Sequence, residues 1–224
     1  MPTSLILIEG TDGTGKSLFI ESLHKQIHSL GLGSTLNLAF PSRSVPIRSQ
    51  DHPTSKILFF LDDFNTTFRD LKCFSKDFIV CDRSFLSTLV YQGFRGDYSL
   101  SKGRFYDSIL TVGENTFFNH IDIDHVHTVL LTCPTEITQE RIQQRDSDKD
   151  ELDKMEGHQQ EMRLDTLATR YEIVLSDLKA RWNQTKPFRP DPVADTSPHF
   201  HSLDTDENTS EQLAEKFIES AIGN

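Results

Sequence analysis

Six residues, Ser4-Leu5-Ile6-Leu7-Ile8-Glu9, run directly into Gly10-Thr11-Asp12-Gly13-Thr14-Gly15-Lys16-Ser17, and this junction constrains the chain more than anything else in it. An unbroken apolar run of that length reads as a strand buried on both faces, which a parallel sheet covered by helices provides. The eight residues after it fit G-x-x-x-x-G-K-[ST]. Glycines at those spacings let successive backbone N–H groups turn inward around a phosphate, and a helix opening at Lys16 points its positive end at the anion. Gly10, Gly13, Thr14, Gly15 and Leu18 then line a nucleoside triphosphate site. Lys16 reaches the β- and γ-phosphate oxygens, and the Ser17 hydroxyl ligates Mg²⁺. Asp82 supplies the second half of that site, because it ends the apolar run Phe78-Ile79-Val80-Cys81 where a carboxylate can orient the cation through water.

The rest of the chain alternates short apolar runs with longer helical patterns, which predicts a parallel α/β sheet. Further strands are expected at Ser34–Phe40, Asp77–Cys81, His125–Cys133 and Phe200–Leu203. Helices are expected at Lys16–Leu30, Ser55–Lys72, Glu136–Gln144, from about Glu156 to Trp182, and at Ser210–Ile222. The segment Asp146–Lys154 is too charged for a core, and the proline-rich Asn183–Pro198 reads as a loop. We expect one domain over residues 1–224, with a mobile lid at about 141–156.

Composition removes several functions. A net charge of −11, spread along the chain, argues against DNA or RNA as a partner, since phosphate backbones need clustered Lys and Arg. No apolar run approaches a membrane span, and the opening strand leaves no room for a signal peptide. Cys73, Cys81 and Cys133 have no metal spacing and read as reduced thiols, so a cytoplasmic protein is expected. His24 with His28 reads as a solvated helix face, and the pairs His125/His127 and His199/His201 as strand edges.

A phosphate loop alone specifies only a bound triphosphate. The guanine-reading N-K-x-D of a switch protein is absent, and a small kinase is the remaining class. At this point a resemblance to thymidylate kinases becomes specific. It is carried by the opening strand and loop, by Phe40-Pro41-Ser42-Arg43, by Asp82-Arg83-Ser84-Phe85-Leu86-Ser87 with Tyr91-Gln92-Gly93, by Glu151-Leu152-Asp153-Lys154-Met155-Glu156, and by His201-Ser202-Leu203-Asp204-Thr205. The resemblance implies the nucleoside monophosphate kinase fold, a five-stranded parallel sheet wrapped by helices, with ATP and Mg²⁺ required and a homodimer common.

It also implies roles. Arg43 and Arg83 would clamp an acceptor monophosphate, to which a guanidinium binds bidentately. Asp12 would hold the 3′-hydroxyl, Tyr91 would stand where a 2′-hydroxyl would sit, Ser87 and Gln92 would bond the base, and Phe59 or Phe60 would stack on it. Asp204 would lie beside the adenine. Gly13 occupies the position where one branch of the family carries an arginine, so the resemblance is to the bacterial-type branch, which takes its cation from the lid. Arg141 and Arg145 match that branch's lid arginines, with Arg145 the expected catalytic one and Lys149 and Lys154 in reserve.

One residue departs from the pattern. Asp63 replaces an arginine that in relatives contacts the thymine carbonyl, and a carboxylate cannot donate there. The resemblance implies dTMP as the acceptor, while Asp63 favours a base that presents amino or imino hydrogens, so dGMP, dCMP, dAMP, a modified pyrimidine or a broader set is the alternative. A deoxynucleoside kinase fits less well, because Arg43 stands where its carboxylate base belongs, and a catalytically inactive nucleotide-binding regulator is the alternative from outside enzymes.

Overall fold

The computed structural model of the protein describes residues 3–42, 53–70, 76–96, 98–120, 125–147, 164–185 and 199–222. Five parallel strands stand in the order β2-β3-β1-β4-β5: β1 (Ser4–Glu9), β2 (Thr35–Ala39), β3 (Phe78–Asp82), β4 (His125–Thr132) and β5 (His199–Asp204). Among the described residues seven helices accompany them: α1 (Lys16–Ser29), α2 (Pro53–Asp70), α3 (Phe85–Gln92), α4 (Tyr106–His120), α5 (Thr135–Ser147), α6 (Leu164–Thr185) and α7 (Ser210–Ala221). The expected α/β architecture with a five-stranded parallel sheet is therefore the observed one. No described helix is long and apolar enough to cross a membrane.

β1 is central, and all six of its residues are buried. Strand alternation divides its side chains between two cores. Leu5 and Leu7 join the cluster under α2, α3, α4 and α6, while Ile6 and Ile8 join Phe19, Leu23, Leu213 and Phe217 beneath α1 and α7. In register, Ile8 pairs with Asp82 on one side and Val129 on the other. Three strands thus end together, which brings the phosphate loop and Asp82 to one edge.

The helix boundaries follow local chemistry. Thr209 and Gln212 form a reciprocal capping box that starts α7. Ser84 caps α3 by accepting from the Leu86 N–H at 3.1 Å. The periodicity did not lead us to expect α3 and α4. α3 is eight residues of nearly all buried side chains, too short and too apolar for a helical stripe to stand out. α4 contains Gly113, an unfavourable helix residue, but a Cβ there would meet the Phe85 ring at 2.1 Å. Only glycine lets the two helices approach so closely. The amino half of the long helix expected from Glu156 lies outside the described residues, as do Cys73, Arg43, Lys149, Lys154 and most of the lid expected at 141–156. Cys81 and Cys133 are free thiols.

The paired histidines have a definite place. His127 is 3 % exposed, with its ring stacked on His199 at 5.0 Å and its Nδ1 3.3 Å from Nε2 of His201. Phe217 packs edge-on against both His127 and His201. Burial, then the neighbouring His201, His199 and His125, push the His127 pKa down to about 3. The unfolded ring titrates near 6.5, so below that pH the unfolded chain takes up a proton the folded chain refuses, and stability falls as pH falls from about 6.5 towards 3. Each unit in that window removes about 1.4 kcal/mol, roughly 2–3 kcal/mol by pH 4.5. Urea midpoints measured from pH 7 to 4.5 should fall steeply for the wild type and more shallowly for His127→Leu.

Candidate functional site

The phosphate loop joins the carboxyl end of β1 to α1 and turns on three glycines at positive φ, Gly10 (145°), Gly13 (83°) and Gly15 (81°). Gly15 is the N-cap of α1, where no side chain caps the helix and its first turn carries no acidic residue. The positive end of α1 is therefore left for an anion. Lys16 is buried, and its Nζ donates to the carbonyls of Gly10 (3.0 Å) and Thr11 (2.7 Å). Burial, then Arg83, lowers its pKa to about 8, against the opposing pull of Asp12, Asp82 and Glu9. Thr14 braces the loop by donating to the Thr11 carbonyl at 2.8 Å. Ser17 and Leu18 are exposed on the first turn of α1.

Beside the loop, Arg83 follows the last residue of β3 in the left-handed region at φ 69°, unusual for a residue with a Cβ. Its backbone is held there by a 3.0 Å hydrogen bond from its N–H to the Ile8 carbonyl. Its guanidinium forms an ion pair with Asp12, donates to Ser87 Oγ at 3.4 Å and lies 5.5 Å from the Tyr91 ring centroid. These groups stand at a cavity of about 280 Å³. Phe40, Phe60, Phe64 and Phe85 wall it, with Thr88, Tyr91 and Gln92 as polar lining. The Tyr91 hydroxyl is buried there beside Arg83, with no hydrogen bond of good geometry among the described residues. Of the two phenylalanines weighed for stacking, Phe60 lines the cavity, with Phe59 edge-on to it at 5.6 Å.

Asp63 also borders this cavity but is 0 % exposed. Its Oδ2 accepts from the Ser42 N–H at 2.6 Å and its Oδ1 from the Ser42 hydroxyl at 2.7 Å. The carboxylate thus braces the turn that begins at the cis Phe40–Pro41 bond and ends just before Arg43.

A second cavity, about 410 Å³, opens on the other side of the loop between α1 and the start of α7. Gly15, Leu18, Arg141, Thr205 and Asn208 line it. Arg141 donates to Thr205 Oγ1 (3.1 Å), to the Thr205 carbonyl (3.0 Å) and to Cys133 Sγ (3.4 Å), so it is fastened to the turn after β5. Asp204 organises that turn by accepting from the Asp206 N–H at 2.9 Å. Arg145 is exposed one turn further along α5.

Two cavities flanking one phosphate loop suit two nucleotides meeting at their phosphates. The match to known families agrees: residues 8–186 fit the family model described as thymidylate kinase. The chain belongs to the thymidylate kinase family. Among solved structures it is similar to a thymidylate kinase from Ehrlichia chaffeensis, with 15 % identity and a TM-score of 0.56 over 98 % of each chain, a likeness of fold. No curated protein sequence matches it. As a member of this thymidylate kinase family, the chain is an ATP-dependent nucleoside monophosphate kinase acting on small nucleotides.

The metal question in such a kinase turns on Asp82 and Ser17. Asp82 Oδ1 is buried and has no hydrogen-bond partner among the described residues, at the strand end next to the phosphate loop. A carboxylate oxygen left this way fits a cation bound mainly by phosphate. Among the described residues, no group of three His, Cys, Asp or Glu is arranged to hold a metal by itself.

Several site residues had no signal in the sequence. Glu9 is fully buried and takes hydrogen bonds from Ser84, Ser87 and Tyr171, while Ser87 also lines the first cavity. Thr138 of α5 presses on the loop: a Cβ at Gly13 would lie 2.8 Å from the Thr138 carbonyl oxygen and 3.1 Å from Ile142 Cγ1. An arginine in the loop, as in the other branch of the family, has no room here. Gly13→Ala adds both this clash and a left-handed Cβ, which together cost about 2–4 kcal/mol. We expect its melting temperature to drop by several degrees and kcat/KM for ATP to drop at least tenfold, measured by thermal unfolding and steady-state kinetics at 15 °C, where the variant remains folded.

Proposed function

We propose that the chain transfers the γ-phosphoryl group of ATP to dTMP, giving dTDP and ADP. The observation that carries this is the Arg83–Asp12 pair at the mouth of a phenylalanine-walled cavity beside the phosphate loop. A flat pyrimidine suits that aromatic slot, with Phe60 against its face and Gln92, an amide able to donate and accept, at its edge. Tyr91 beneath the sugar would crowd a 2′-hydroxyl and so favour deoxyribose. Arg83, with Arg43, the next residue in sequence after the Ser42 that Asp63 holds, would grip the acceptor phosphate.

Transfer of this kind needs alignment and charge neutralisation more than covalent chemistry. One oxygen of the acceptor phosphate attacks the γ-phosphorus while the bond to the β,γ-bridging oxygen breaks and ADP leaves. The loop N–H groups of Gly13, Thr14 and Gly15 hold the β-phosphate, and Lys16 neutralises charge growing between the β and γ positions. Mg²⁺, when bound, would shield the same oxygens, held by Ser17 and Asp82. Asp12 orients Arg83 and the acceptor sugar. Because Arg141 is fastened to Thr205 at the adenine side, we assign it to ATP binding and give the catalytic lid cation to Arg145.

A second reading has its own support. In this cavity the described lining has Arg83 as its sole cation, and both Asp63 oxygens are engaged by Ser42. No charged donor is then aimed at a thymine carbonyl, which favours a broader range of deoxynucleoside monophosphates. ADP release with ATP and Mg²⁺ across dTMP, dUMP, dGMP, dCMP and dAMP separates the two. We expect dTMP to lead by at least tenfold in kcat/KM, and Asp63→Ala to lower turnover of every acceptor alike, as loss of a brace should. If another base leads, the thymidylate reading falls and the kinase reading stands.

A further inference from the structure

Behind the phosphate loop lies a carboxylate with no part in the transfer described above. Glu9, the last residue of β1, is 0 % exposed, and burying a carboxylate is costly unless its oxygens are well bonded. Ser84 Oγ donates to its Oε1 at 2.6 Å and Ser87 Oγ to its Oε2 at 2.7 Å. Both serines belong to the start of α3, immediately after Arg83, and Ser87 also receives the 3.4 Å bond from that guanidinium.

The fourth member is Tyr171 of α6, 1 % exposed. Its hydroxyl lies 3.2 Å from the Gly10 carbonyl, 3.3 Å from Glu9 Oε2 and 3.0 Å from Ser87 Oγ. The Gly10 carbonyl is the same one that accepts from Lys16 Nζ at 3.0 Å. A phenol has one proton, and three acceptors compete for it. Directed to Gly10, it ties down the loop that faces ATP. Directed to Ser87, it ties down the element that carries Arg83.

We propose that Tyr171, with Glu9 beneath it, is a positioning residue that couples the two nucleotide sites, its single proton passing between the Gly10 carbonyl on the ATP side and Ser87 on the acceptor side. This rests on the acceptor role of Arg83 proposed above. When ATP draws Lys16 towards its phosphates, the Gly10 carbonyl loses one donor and takes the tyrosine proton more strongly. Ser87 is then released to serve Arg83 and Glu9. Binding at one site thereby alters affinity at the other, and the effect must be reciprocal.

Tyr171→Phe removes the hydroxyl and keeps the ring. The affinity of the full chain for a non-hydrolysable ATP analogue is measured by calorimetry with and without saturating dTMP, alongside kcat and both KM values. We expect the dTMP-dependent change in analogue affinity seen in the wild type to shrink at least threefold, and kcat to fall about tenfold with KM for each substrate within threefold. Adding Ser87→Ala to Tyr171→Phe should then cost little more, since both act on one network. Unchanged coupling in a folded Tyr171→Phe protein overturns the proposal, as does a fall in kcat that vanishes on cooling to where the variant is fully folded. Should Tyr171→Phe fail to fold, Ser87→Ala is read by the same coupling measurement with the same expectations. Arg83→Ala tests the reading underneath: it must raise KM for dTMP at least tenfold, and if it does not, the acceptor site is misassigned whatever Tyr171 does.

Discussion

The pairing of β1 with both its neighbours holds the chemistry of this chain in place. Ladder bonds to β3 and β4 keep Ile8 level with Asp82 and Val129, and the two cores clamp the strand from either face. Because parallel strands end at the same edge, three chain segments emerge there within a few ångströms of one another. The loop at Gly10, the reversal at Arg83 and the turn after Thr132 each leave from that edge. A slip of one residue in β1 would exchange the two cores and carry Glu9 from its pocket into the opposite layer.

Charge is arranged against the molecule's general character. A strongly acidic chain has to concentrate positive groups where phosphates meet, and it does so with a buried Lys16 beside a half-buried Arg83. Lys16 and Arg83 face each other around Asp12, with Asp82 and Glu9 behind. The carboxylates keep these cations charged in a site with little water, where their effect on a phosphoryl group is greatest. Much of this arrangement consists of carbonyls and hydroxyls shared between neighbours, so a change at one group reaches the next.

How much of this was legible in the sequence depended on the range over which each feature is determined. The phosphate loop, the central strand and Asp82 are local patterns, and they lie where the residues predict. The strands β3 and β4 were also evident, because continuous apolar runs have few other uses. α3 and α4 were hidden, one by its shortness and uniform burial, the other by a glycine whose reason is the Phe85 ring on a different helix. The site divides in the same way. That Asp63 replaced an arginine was visible, but its engagement by Ser42 was not, since that bond spans a loop and a helix. Arg141 read as a lid arginine second to Arg145, and its bonds to Thr205 on the turn after β5 had no local signal. Tyr171 lies 161 residues from Gly10, and no local pattern joins them.

The tight seat of Gly13 against α5 bears on how this lineage can change. With Thr138 and Ile142 filling the space where a side chain would project, position 13 is constrained by the placement of α5. A side chain at 13 meets the Thr138 backbone carbonyl at 2.8 Å, a contact that smaller residues at 138 and 142 leave in place. Room for a cation on residue 13 therefore has to come from a shift of the α5 backbone itself, and with it of every side chain that helix carries towards the loop.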